Sequence, residues 1–289
     1  MKRVVILIGT VLFLAAAFVA WLFFSTATVQ NMTRSGLHLG NERWRGAITI
    51  TGDTIIIGNL FVEPGTTVKF LVQDDRGWGD EVPADGFNDL DPTRLRSYGI
   101  THSGIVVIGK VTAIATKEKP ILFTSGAEHP ALADWESIIF SGNGSVFDGV
   151  TVEYNRNGLN PIGKQPDSVI RHSIIRHTLW GAVSSGHSPV QVIENHISDC
   201  GHEGVDVQSG TQIVRGNIIE DCNAGIVVLH GSPTIENNII RNTGGGISVA
   251  PGATPKMSGN VIEPAPPEAQ REWRYGNFAY HLYGEATLD

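Results

Sequence analysis

Apolar and polar positions recur along the second half of the chain with a period near 22 residues. Taking Val150, Ser173, Asn195, Asn217, Asn238 and Asn260 as anchors, the successive spacings are 23, 22, 22, 21 and 22. Two residues after each anchor stands an aliphatic side chain: Val152, Ile175, Ile197, Ile219, Ile240 and Ile262. Three residues before each stands an apolar one: Phe147, Ile170, Val192, Val214, Ile235 and Met257. Gly158, Gly181, Gly204, Gly225 and Gly246 follow the first five anchors, and each opens a short apolar stretch such as Val205-Asp206-Val207 or Ile226-Val227-Val228. No helical period runs through these units. A unit of two or three short strands cannot bury its own inner face, so neighbouring units must stack into a continuous core. Stacked strands lie about 4.8 Å apart, which turns every column of the repeat into a ladder. The asparagines at 195, 217, 238 and 260 are expected to form an inward amide ladder in which each side chain satisfies the next.

The first half is less regular but carries strand-like runs at Thr54–Ile57, Leu60–Val62, Thr67–Val72, Ile105–Ile108, Val111–Ala115, Ile121–Thr124 and Ser137–Phe140. Pro64-Gly65 and Gly142-Asn143-Gly144 supply turns between them. The Asn217-Ile218-Ile219, Gly225-Ile226 and Gly246-Ile247 elements resemble the right-handed parallel β-helix of the pectate-lyase-like superfamily. Pro64 to Phe70, Ile121 to Ser125 and Asp134-Trp135 resemble the opening coils of exported or surface members. The resemblance implies an all-β solenoid of about 22-residue coils over residues 47–263 and is specific for fold, not activity.

Outside the coils, residues 73–103 interrupt the rhythm with Asp74, Asp75, Asp80, Glu81, Asp85, Asp89 and Asp91. So long an insertion within a compact repeat is more often functional than ordinary. Pro264, Pro266 and Pro267 stop the coils, and the tail at 264–289 holds Trp273, Tyr275, Phe278, Tyr280 and Tyr283. That tail is expected to cap the open strand edge of the last coil, and residues 25–46 to form a linker or cap at the other end. Lys2 and Arg3 precede an unbroken apolar run from Val4 to Phe24, long enough to cross a bilayer as a helix of about 30 Å. Residues 1–24 are therefore expected to be a transmembrane helix, with cleavage after Ala27 as the rival reading. Either way the folded part is placed outside the cytoplasm, in a periplasm or at the cell surface.

Composition narrows the function classes. Glycine supplies 34 of 289 residues, and only 17% of residues are charged, which excludes a solvated disordered chain. A formal net charge of −8 argues against a basic nucleic-acid footprint. Two cysteines are too few for a disulfide scaffold. Cys200 and Cys222 fall in one column with Thr178 and Thr243. Parallel in-register side chains favour a stack of small buried residues over a disulfide, although the spacing permits either.

The repeat also converts period into adjacency. Residues four after each anchor, Tyr154, His177, Asp199, Asp221 and Asn242, are expected to form one outward ladder, flanked by Glu153, Arg176, Ser198, Glu220 and Arg241. The stretch Asp199-Cys200-Gly201-His202-Glu203-Gly204-Val205-Asp206 carries four ionisable side chains besides Cys200. Asp199, His202, Glu203, Asp206 and His177 are the candidate catalytic residues, because adjacent carboxylates perturb each other's proton affinity and histidine moves protons near neutrality. Tyr154, Arg176, Trp180 and Asp221 are the candidate substrate-binding residues: the arginine for a uronate carboxylate, the tryptophan for a sugar face. Asp74, Asp75, Asp80 and Glu81 have the hard oxygens that suit Ca²⁺, against a plain solvated loop. The expected function is binding or cleavage of a polysaccharide or cell-surface glycan, of lyase or glycosidase type. Lysine is absent between Lys164 and Lys256, which counts against a lysine base. A non-enzymatic surface scaffold or binding module is the alternative, in which the polar ladders only keep the surface wet. A periplasmic metal-handling β-helix using His177, Asp199, His202, Glu203 and Asp221 is a third reading, without any compact zinc-type spacing.

Overall fold

Each 22-residue unit folds as three short strands joined by tight corners, and the units stack in parallel register. The computed structural model describes residues 25–72, 102–186 and 188–264. All of their strands join one sheet, and every ladder between the named strands is parallel. The first face of the solenoid is built from strands such as Val169–Arg171, Gln191–Ile193 and Ile213–Arg215. Ile174–Thr178, His196–Cys200 and Ile218–Glu220 belong to the second face, and Val183–Ser184, Glu203–Val207 and Ala224–Val228 to the third. Ile175, Ile197, Ile219 and Ile240 stand in one vertical row. All four are fully buried in a single core that runs the length of the stack.

At the corner between the first and second faces the amide ladder forms as expected. Asn195 Nδ2 donates to Ile170 O and to Asn217 Oδ1, both at 2.9 Å, and Asn217 and Asn238 repeat the pattern one rung further on. Each Oδ1 also accepts the backbone N–H of the anchor before it, as Asn217 Oδ1 does from Asn195 N at 2.9 Å. These buried amides are thus fully used, which is the condition for keeping polar groups inside an apolar stack.

Strand pairing begins earlier than the 47–263 span read from the sequence. Thr26–Leu39 and Asn41–Ile57 are long bent strands, each wrapping all three faces, and they pair with each other in parallel. Residues 25–46 are therefore largely part of the stack. The first strand nevertheless differs from its neighbour in the residues that it carries. Where the next rung turns Ile48, Ile50 and Ile56 inward, it places Met32, Arg34 and His38. Arg34 and His38 both reach the buried carboxylate of Glu42, at 3.3 and 3.2 Å, and Trp44 Nε1 donates to the same group. The other end is different in kind: Met257 and Ile262, in line with buried Ile235 and Ile240, are 53% and 42% exposed.

Among the described residues no helix is long and apolar enough to cross a membrane. The expected transmembrane helix at 1–24, nearly all of the acidic insertion with Asp74, Asp75, Asp80 and Glu81, and the aromatic tail beyond Pro264 lie outside the described residues.

Candidate functional site

The corner between the second and third faces positions most of the candidate residues. Tyr154, His177, Asp199, Asp221 and Asn242 occupy the same place in successive rungs, and all have left-handed backbone conformations, with φ between 50° and 64°. A repeated left-handed residue at one position makes the sharp corner and turns each side chain outward. The side chains touch along the axis as a ladder should. The Tyr154 and His177 rings stack with centroids 4.8 Å apart, His177 Nδ1 lies 2.6 Å from Asp199 Oδ2, and Asn242 donates to Asp221. Beside this ladder, Arg176 Nε donates to Glu153 Oε2 at 2.8 Å, and Thr124 Oγ1 donates to the other oxygen at 2.9 Å. Arg176, expected to neutralise a uronate, thus already has a buried carboxylate partner. Trp180, expected to stack on a sugar, has the Arg156 guanidinium 4.3 Å from its ring centroid, and Arg156 Nε donates to Glu136 at 2.6 Å. Cation–π packing thus holds one face of that indole.

His202, Glu203 and Asp206 form a second group on the third face. Val205 and Val207 belong to the core and Asp206 between them does not, so strand alternation puts Asp206 on the outer side. It is nevertheless only 6% exposed. Its Oδ2 accepts from Gln208 Nε2 at 2.9 Å, while Oδ1 has no hydrogen-bond partner among the described residues. Burial pushes the Asp206 carboxyl up to about 6, the Gln208 bond working against it.

Glu203 Oε2 is hydrogen-bonded to His202 Nδ1. With Glu203 ionised, its carboxylate can only accept, which puts the proton of that bond on Nδ1 and leaves a lone pair on Nε2. Nε2 is buried and has no partner among the described residues. Burial depresses the His202 imidazole to about 4, so the ring is neutral in ordinary solution. The other Glu203 oxygen and Ser184 Oγ both approach Gly181, where an added Cβ would lie 2.7 and 2.8 Å from them. Ser184 is in register with Asp206 and donates to Asn157 Oδ1 at 2.8 Å. Glu203 and Asp206 therefore flank one hydroxyl, over a tight slot at Gly181 that has no room for a methyl group.

Asp206 aligns with Ser184 and Val227, and Val205 with Val183. The glycine series read from the sequence does not form one column. Gly181 stands opposite Glu203, whereas Gly204 faces the core, where a Cβ would meet Ile219 Cγ2 at 2.5 Å. The rung-to-rung offset is 22 at both Thr178–Cys200 and Val183–Val205, so Gly181 and Gly204, 23 apart, cannot align. The offset then falls from 22 at Ser198–Glu220 to 21 at Glu203–Ala224. The His202 corner therefore holds one residue more than the corner after it.

No three His, Cys, Asp or Glu side chains among the described residues come together as a group able to hold a metal ion. The set His177, Asp199, His202, Glu203 and Asp221 is accordingly divided between the ladder and the slot. Cys200 and Cys222 are buried free thiols. Burial first, then the adjacent Cys222, raises the Cys200 thiol well above its ordinary range and keeps it unreactive.

Sequence reasoning missed one feature entirely. The outer column that contains Asp206 runs Leu37, Ile55, Val106, Ile139, Asn160, Ser184, Asp206, Val227 and Ser248. It is aliphatic for four rungs and polar for the next three.

Residues 134–264 match the family described as right handed beta helix region. Searches of curated proteins and of solved structures returned no significant match. With its parallel ladders extending from Thr26 to Pro264, the chain is a right-handed parallel β-helix repeat protein.

Proposed function

We propose that the chain is a membrane-tethered, extracytoplasmic β-helix that binds polysaccharide along its third face and cleaves it by acid–base chemistry at His202, Glu203 and Asp206. The observation that carries the reading is Asp206, an outward carboxyl that is buried, has a free oxygen and holds its proton up to about pH 6. It lies three residues from a Glu203–His202 pair whose unprotonated Nε2 is equally without a partner among the described residues. Burying two polar groups in this way costs stability, and such costs concentrate at working sites.

In the reaction, Nε2 of His202 takes a proton, either from a water that attacks the anomeric carbon or from the carbon next to a uronate carboxylate. Asp206 delivers its own proton to the glycosidic oxygen as that bond breaks. Glu203 fixes the tautomer and offsets the charge that forms on the ring. Tyr154, His177, Asp199 and Asp221 border the slot as a hydroxyl-binding edge. The residues preceding Thr26 supply the tether, and Ca²⁺ on Asp74, Asp75, Asp80 and Glu81 belongs to the same proposal as an accessory.

The base requires His202 neutral, above about pH 4, and the acid requires Asp206 protonated, below about pH 6. Activity is thus expected to be bell-shaped, with its maximum near about pH 5. The test is a panel of neutral and uronate polymers, with and without Ca²⁺, read by reducing ends and by the absorbance of unsaturated products. Cleavage that survives His202→Ala and Asp206→Asn removes the site. A non-enzymatic glycan-binding module is favoured by the saturated outer pairs Arg176–Glu153 and Arg241–Glu220. Retention on a glycan array without product from any polymer would select it.

A further inference from the structure

The outer surface of the third face is a sheet of bare aliphatic side chains over its first three rungs. Leu37 pairs with Ile55 and Ile55 with Val106, while Leu39 pairs with Ile57 and Ile57 with Ile108. All six alternate with inward residues, so they point away from the core. Leu37, Leu39 and Ile108 are 60%, 57% and 52% exposed, and Ile55, Ile57 and Val106 are half-buried. Single exposed apolar residues need no explanation, but two contiguous columns of three are a patch, and contiguous apolar patches mark contact surfaces. The core is filled by the inward residues Ile56, Ile105 and Val107, so the fold does not require aliphatics outside.

We propose that this patch rests on a phospholipid surface, seating the first rungs of the solenoid at the boundary between headgroups and acyl chains. The proposal builds on the tether reading. The apolar run Val4 to Phe24 ends two residues before the first strand begins at Thr26. A strand so close to the end of a spanning segment has no slack with which to leave the bilayer surface, and the patch starts on that same strand. Its two most exposed residues, Leu37 and Leu39, belong to the rung next to the run, and the outer column turns polar at Asn160 as the stack recedes. A surface of this kind binds by burying apolar area roughly 5–10 Å into the interface.

The test uses the full chain reconstituted into vesicles of phosphatidylcholine and phosphatidylglycerol. A fluorophore is attached at Ile108→Cys or, on the far end of the stack, at Met257→Cys, the native thiols Cys200 and Cys222 being buried. Lipids brominated along the acyl chain are expected to quench the Ile108 label several-fold more than the Met257 label. Alkaline carbonate extraction of the same vesicles reports the tether separately. Equal quenching of the two labels in protein that resists extraction overturns the lipid contact while leaving the tether standing. Release by carbonate removes the tether reading and with it the basis for a lipid partner. A second readout is oligomeric state in detergent. A dimer dispersed by Leu37→Ser with Leu39→Ser assigns the patch to a second copy and also overturns the proposal. Because both serine changes fall on exposed side chains, they leave the core untouched.

Discussion

Leu37, Ile55, Val106 and Ile139 stand in the same outer column as Asn160, Ser184 and Asp206, on the same backbone and with the same spacing. The inner column beside them hardly changes, running Ile105, Ile138, Leu159, Val183 and Val205. The difference between the two halves therefore comes from what the outside is for, and folding does not dictate it. In a stacked coil the inward residues and corner amides specify the register, and the outward ones are left free. Each half uses that freedom at a cost: one exposes hydrocarbon to water, the other removes a carboxyl from it.

The largest effect expected from breaking this contrast is on the polar half. Replacing Glu203 by Gln leaves Nδ1 without its carboxylate, and His202→Ala removes the base; each should lower polymer cleavage about 10²–10⁴-fold. Product release at pH 5 measures it, and unchanged release would make the polar half a merely wetted surface. Asp206→Asn should abolish the acidic partner yet stabilise the fold. The folded-state value of about 6 lies above the ordinary 3.8. The contribution of Asp206 is therefore fully present below pH 3.8 and lost as pH rises through about 6. At pH 8 the asparagine variant should gain about 2–3 kcal/mol over the parent, and at pH 3.5 almost nothing. Urea melts at the two pH values decide it, and equal gains at both would place the effect elsewhere.

Gly181→Ala should push the Glu203 and Ser184 side chains aside and depress activity. The atoms it meets are ends of side chains, so stability should change by no more than about 1 kcal/mol. The control is Gly158→Ala, whose Cβ would come within 2.2 Å of the Ala182 carbonyl and should lower the melting temperature sharply. The smallest effect belongs to the aliphatic half. Ile108→Ser should shift stability by no more than about 0.5 kcal/mol, because that side chain lies 52% in solvent. A large loss on melting would mean that the patch is structural.

How far the letters alone reach follows the same division. The Asn195–Asn217–Asn238 ladder and the row of isoleucines were legible because a buried position tolerates few residues, and so repeats visibly. The corner ladder from Tyr154 to Asn242 was legible from spacing even though its residues differ. The alignment of Gly181 was not, because a glycine marks a turn without saying which side of it faces the core. The aliphatic patch was hidden for a related reason. Ile55-Ile56-Ile57 and Val106-Val107-Ile108 are apolar at every position, and a strand of that kind reads as buried on both sides. Which alternate residues face out is settled only when Ile56 and Val107 are seen in the core. The grouping of His202 with Glu203 rather than with Asp199 and His177 likewise depends on where the corner closes.

The amide column has one more implication. Since the Asn217 side chain reaches only the rung before it, at Val192 O and Asn195, and the rung after it, at Asn238, nothing in that interior records how many storeys the tower contains. Excising one complete storey, or duplicating one, would let the cut ends meet with the same handshake they already make. Overall height is thus a quantity that heredity can adjust in whole steps, lengthening or shortening the reach from base to slot without redesigning either.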